Sequence, residues 1–140
     1  MWQEIVDVHD AAGNPLCDVF LWHQGESGGT NYKTAWLTMR TALSSYGILN
    51  GDAPSILGGL QGVRIGGTND TYLQELASEN DDIYYASSLN LDDGGDGLHF
   101  SGPDLHHFGY FRYWDKYREH IGPAARKTTP VFIAPGTRFW

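Results

Sequence analysis

The sequence predicts an α/β protein, a three-layer α/β/α sandwich built on a parallel sheet. Three observations carry that reading. Short apolar runs recur along the chain and are closed by glycine or polar loops, as strands buried on both faces are. Between them lie stretches whose apolar residues recur every three or four positions, the period of an amphipathic helix. The two patterns alternate regularly, and regular alternation implies parallel strands with helices packed on the sheet.

In order, Trp2, Ile5, Val6 and His9 fall at helical spacing, with Ala11-Ala12-Gly13 as the helix end. Asn14-Pro15 is a turn. The run Asp18-Val19-Phe20-Leu21-Trp22 then reads as a buried central strand that delivers His23-Gln24-Gly25-Glu26-Ser27 to the loop at its carboxyl end. Tyr32, Trp36, Met39, Leu43 and Tyr46 form a helical stripe stopped by Gly47. Ser55-Ile56-Leu57-Gly58-Gly59-Leu60 is a second buried strand. Asn69 is placed to cap a helix carrying Tyr72, Leu73 and Leu76. Ile83-Tyr84-Tyr85-Ala86 is a third strand. A loop of Asp, Gly, His and Ser covers 90–102, and Pro103 opens a helix reaching about Ile121. Residues 122–140, with three prolines and no period, read as an irregular tail or linker. Three strands are few for such a sheet, and a helix rather than a strand comes first, so the front of the sheet is expected to be absent.

The 140 residues suit one domain with a substantial core. A formal charge of −8 leaves little to neutralise phosphates, which argues against a nucleic-acid partner. Cys17 is the only cysteine, so no intrachain disulfide and no cysteine-based metal site is expected. The chain has neither an apolar run of membrane-spanning length nor an N-terminal basic–apolar signal, so no membrane partner is expected, and export would need another route or a larger parent chain. The acidic charge is compatible with an extracellular or virion setting.

Two polar clusters carry the candidate chemistry. The first is the 22–27 loop. The second, Asp92-Asp93-Gly94-Gly95-Asp96-Gly97-Leu98-His99-Phe100-Ser101, follows the third strand as the first cluster follows the first strand, so both should open on one rim. Asp96 can accept from one nitrogen of His99 and leave the other as a base. The plain alternative is that Asp96 caps a turn and His99 is a solvated loop residue.

Trp22-His23-Gln24-Gly25-Glu26-Ser27 and Asp96-Gly97-Leu98-His99-Phe100 resemble two signature blocks of the SGNH hydrolases. The closer likeness is to the sialate O-acetylesterase and acetylxylan esterase branch, over roughly residues 1–121. The resemblance implies a flavodoxin-like fold and removal of O-acetyl groups from carbohydrate without a cofactor or metal. It implies His99 as general base, Asp96 as the group that orients it, and Gln24 with the Gly25 region as part of the oxyanion hole. Glu26 would support that loop, and Trp22 would stack on a sugar ring.

The pattern departs from the family at one point. The nucleophilic serine of a Gly-x-Ser block is expected on a strand well before the 22–27 loop, and residues 1–17 contain no serine. The chain therefore resembles the C-terminal portion of such a domain, with the nucleophile on a missing segment or a partner chain. A triad lacking one member retains only ~10³–10⁴-fold acceleration over water, so little activity is expected of the chain alone. Ser27 does fit Gly-x-Ser-x-Gly, but the elbow's fold takes its acid and histidine from separate loops, and here one loop holds both.

His106 and His107 could approach His99 and Asp96 about a metal, but neighbours on a helix point about 100° apart. The glycines of 58–67 lack the Lys-Ser/Thr of a phosphate loop and read as a mobile rim. Phe108, Tyr110, Phe111, Tyr113, Trp114 and Tyr117 surround the last helix, as core or as an interface. Two functions stay open: an O-acetylesterase completed by another segment, and a non-catalytic glycan-binding or structural module derived from that fold.

Overall fold

A computed structural model describes residues 2–27, 29–61 and 67–122. Most of the Gly-rich segment after residue 61 and the tail beyond 122 therefore lie outside the described residues. The elements alternate as the patterning requires: α1 Trp2–Ala11, β1 Phe20–Trp22, α2 Tyr32–Ser45, β2 Ser55–Gly58, α3 Thr68–Glu79 and β3 Ile83–Ala86. A final helical stretch follows as α4 Gly102–His107, a π-helical segment Phe108–Tyr113, and α5 Trp114–His120. The result is a mixed α/β structure around a small, open, parallel three-stranded sheet ordered β1-β2-β3. Among the described residues no helix is long and apolar enough to cross a membrane.

The sheet order corrects one expectation. The apolar run ending at Trp22 predicts a central strand, yet β2 holds the centre and β1 pairs only with β2 among the described residues. Ser55, Ile56 and Leu57 are fully buried, whereas Leu21 is 56% exposed. An apolar run does not report partners along a strand's edges, and here the face that carries Leu21 is itself left open.

Alternation along β2 divides the core. Leu57 joins Trp36 of α2 and Leu73 and Leu76 of α3, with Ile83 of β3. Ile56 points the other way, to Ala86, Leu91 and Phe108, with Tyr113, Tyr117 and Ile121 packed around them. Trp36 and Leu43 bear out the α2 stripe, but Tyr46 lies at the helix's C-terminal end and is 64% exposed. Asn69 is not the cap of α3: the helix begins one residue earlier, and the Asn69 amide donates to the Gly25 carbonyl at 2.6 Å. Of the aromatics of the last helical stretch, Phe108 is core, whereas Tyr110, Phe111 and Trp114 remain exposed.

Buried Asp70 fastens the end of β2 to its neighbours. One carboxylate oxygen accepts from the Leu60 N–H at 3.0 Å and the Tyr85 hydroxyl at 2.8 Å, and the other accepts from Gln74 at 3.0 Å. A buried carboxylate is tolerable only with such bonds. They hold the chain rigid where it leaves the sheet at the rim. Gly58 and Gly59 belong to this packed end rather than to a mobile rim. A Cβ on Gly58 would sit 2.2 Å from the Tyr113 hydroxyl, and one on Gly59 would sit 2.4 Å from that of Tyr85.

Candidate active site

The loop before α4 is built for the Asp96–His99 pair. Asp93 and Phe100 form an antiparallel bridge, and the Gly94 N–H donates to the His99 carbonyl at 2.7 Å, closing the loop on itself. Gly95 and Gly97 take φ of +96° and +71°, conformations that side-chain-bearing residues rarely adopt, so the chain can curl around Asp96. One Asp96 oxygen accepts the N–H groups of Leu98 and His99, both at 2.8 Å. The other lies 2.6 Å from His99 Nδ1.

That geometry sets the protonation behaviour. The bond from the His99 ring and the two backbone N–H groups hold the Asp96 carboxyl well below the usual carboxylate range. The same bond raises His99 above the ordinary imidazole value, and the more distant Glu26 carboxylate raises it further. With Nδ1 engaged by Asp96, Nε2 is the nitrogen left for proton transfer. The ring is open to solvent, with its side chain 69% exposed. Ser101 then caps α4, its hydroxyl donating to Asp104 Oδ2 at 2.6 Å and accepting the Asp104 N–H at 3.2 Å.

The 22–27 loop meets this pair from the end of β1. The Gly25 backbone, at φ +145°, lies against Leu60 and the Tyr32 ring, where a Cβ would sit 3.2 Å from Leu60 and 3.4 Å from the Tyr32 hydroxyl. The Tyr32 hydroxyl donates to the Gln24 carbonyl and accepts from the Trp22 indole at 3.0 Å. Burial pushes Tyr32 up to about 12, so it stays a neutral donor. The Tyr113 hydroxyl donates to the Trp22 carbonyl at 2.6 Å. The chain leaving β1 is therefore held by α2, α3 and the π segment together.

Glu26 turns inward from this loop. One oxygen accepts the Gly25 N–H at 2.9 Å and the other lies 3.8 Å from His23 Nε2. The two loops approach each other where the His23 ring lies 5.5 Å from that of Phe100.

The other sequence candidates fall as follows. The Trp22 indole is partly buried, packed against the core beside Phe20 and Tyr32, and donates to the Tyr32 hydroxyl at 3.0 Å. The Gln24 residue is exposed at the rim. Ser27 sits in an exposed turn and makes no hydrogen bond to His99. His106 and His107 stack on Tyr110 and Phe111, and among the described residues no cluster of His, Cys, Asp or Glu is arranged to hold a metal ion.

The sequence placed His23, Tyr32, Asn69, Tyr113 and Gly58 in loops, helices or strands without assigning them contacts at the end of β1. His23 stood inside the motif and could have been singled out; the others act through contacts of long sequence separation. Comparison with protein-family models and with curated proteins finds no match for the chain.

Proposed function

We propose that the chain is the base-bearing part of a serine-type carbohydrate O-acetylesterase of the SGNH kind, its nucleophile supplied by another segment or chain. The observation that carries the reading is the Asp96–His99 pair, bonded at 2.6 Å and facing the loop at the end of β1. In the proposed reaction a serine oxygen attacks the acetyl carbonyl and His99 Nε2 takes its proton. The tetrahedral oxyanion is met by donors of the Gln24–Gly25 stretch, each worth about 3 kcal/mol. Collapse returns the proton to the departing sugar hydroxyl. Water, activated by the same imidazole, then releases acetate and restores the serine.

Two features of the fold support the reading. Apolar side chains on both faces of β2 meet helices, as a flavodoxin-like three-layer sandwich requires. Among the described residues β1 has no partner on its outer edge, which offers a place for a further strand carrying the serine. The competing reading, a glycan-binding or structural module, is favoured by one fact: among the described residues no hydroxyl is bonded to the His99 ring.

Turnover of p-nitrophenyl acetate by the complete assembly separates them. The esterase reading expects a fall of about a hundredfold or more in His99→Ala. An unchanged rate, or no turnover by the assembly with glycan binding intact in the variant, gives the binding module.

A further inference from the structure

His23 carries a role that the esterase reading leaves unassigned. It follows Trp22 at the end of β1, and its ring lies among groups from four parts of the chain. The Phe100 ring, next in sequence to His99, is 5.5 Å away, and the Phe108 ring is 5.4 Å away at a steep angle. Phe100 and Phe108 contact each other at 4.8 Å, completing a closed aromatic cluster. The imidazole edge lies so near the backbone of Gly58 that a Cβ there would stand 2.9 Å from His23 Cδ2. Its Nε2 faces Glu26 at 3.8 Å.

Two neighbours fix where the ring lies: Gly58 admits it and Phe108 backs it. On the opposite side the ring touches only the loop that ends in His99-Phe100 and the carboxylate that acts on His99. Asp96 and His99 are three residues apart, so their bond is local and would survive if the whole loop moved. The distance from His99 to Glu26 is different, because those residues sit on separate loops. Among the described residues, the hydrogen-bonded or packed contact between the two loops runs through His23 and Phe100.

We propose that His23 is a positioning residue, which through Phe100 docks the Asp96–His99 loop against the end of β1 where Glu26 lies. The role rests on the esterase reading for its use in catalysis, but not for its geometry. Burial lowers the basicity of His23 and Glu26 opposes that effect. The Tyr113 hydroxyl from the π segment is the other titratable group at Gly58, and burial holds it neutral. On His99 the charged groups that act are Asp96 and Glu26. A change in the Glu26 contribution is therefore readable in the titration of His99 alone.

The test is a titration of the His99 ring by NMR, without substrate, in the protein, in Glu26→Gln, in His23→Ala and in the double variant. Glu26→Gln is expected to lower the His99 midpoint in the otherwise unchanged protein and to leave it unmoved once His23 is alanine. Equal shifts in both backgrounds overturn the proposal, because Glu26 would then reach His99 without the His23 clamp. If His23→Ala loses dispersed amide signals, Phe100→Ala replaces it. That variant keeps Gly58 and Phe108 beside His23 while removing the Phe100 ring from both His23 and Phe108, and the same loss of coupling is expected. No outcome depends on turnover, so failure of the esterase reading leaves the titration result standing.

Discussion

His99 decides how the site responds to pH. Its imidazole is a base only when deprotonated, and its bond to Asp96 raises its value above the ordinary 6.5. On the proposed esterase reading, the acidic limb of the rate profile should therefore lie above 6.5. Asp96→Asn keeps an oxygen for the N–H groups of Leu98 and His99 but removes the charge. It should move that limb to lower pH and reduce the plateau by about a hundredfold or more, as loss of the orienting carboxylate does in other triads. A limb that stays in place in Asp96→Asn would show that another group is titrating. The same pair has a small linkage to folding. The His99 contribution is complete below 6.5 and is lost as pH rises through its raised value. The Asp96 contribution is present above 3.8 and is lost as pH falls through its depressed value. Solvent screens both groups. At this scale the pair was legible because it is local: three residues of separation between glycines bring a carboxylate and an imidazole together with little help from the rest of the fold. Asn69 was misplaced because its partner, Gly25, is distant in sequence.

At the scale of elements, the approach of the last helical stretch to β2 determines the floor of the site. Between α4 and α5 the helix widens into a π segment, Phe108–Tyr113, which is often a mark of functional sites. Phe108 and Tyr113 both reach the same glycine, and Tyr113 continues past it to the Trp22 carbonyl. Gly58→Ala would place a methyl group 2.9 Å from His23 and Phe108 and nearer still to the Tyr113 hydroxyl. Such overpacking should cost about 2 kcal/mol or more, read as a lower urea midpoint. It should also shift the ring signals of His23 and Phe100. A midpoint within error of the original would mean that the helix can lift off the strand without loss. Element positions followed closely from the sequence, since apolar runs and helical stripes are local signals. The π segment did not, because Phe108, Tyr110, Phe111 and Tyr113 suit an α-helical pattern equally well. The place of β1 at the edge did not either, because pairing joins residues far apart, such as Leu21 with Ile56.

For the molecule as a whole, the outer edge of β1 and the nucleophile that the proposed reaction needs have a common solution. Leu21 lies 56% exposed on β1, whose far side has no strand partner among the described residues. A bare edge with an apolar side chain is unfavourable in water and invites pairing. Adding one strand there would cover Leu21, satisfy the outer backbone groups of β1, and bring the new strand's carboxyl end to the rim that holds Glu26 and His99. Stability and turnover should therefore appear together when an apolar strand ending in Gly-x-Ser is supplied, fused or as a separate peptide. The chain without it should show no p-nitrophenyl acetate turnover above that of free imidazole at equal concentration. With it, the urea midpoint should rise and turnover should increase by about a hundredfold or more. The same strand with alanine in place of its serine should raise the midpoint equally and leave turnover at the basal level. That pair of strands separates the fold from the chemistry. A gain in stability with both and in turnover with neither would leave a completed domain that binds without cleaving, whereas no gain in stability with either would remove β1 as the docking edge.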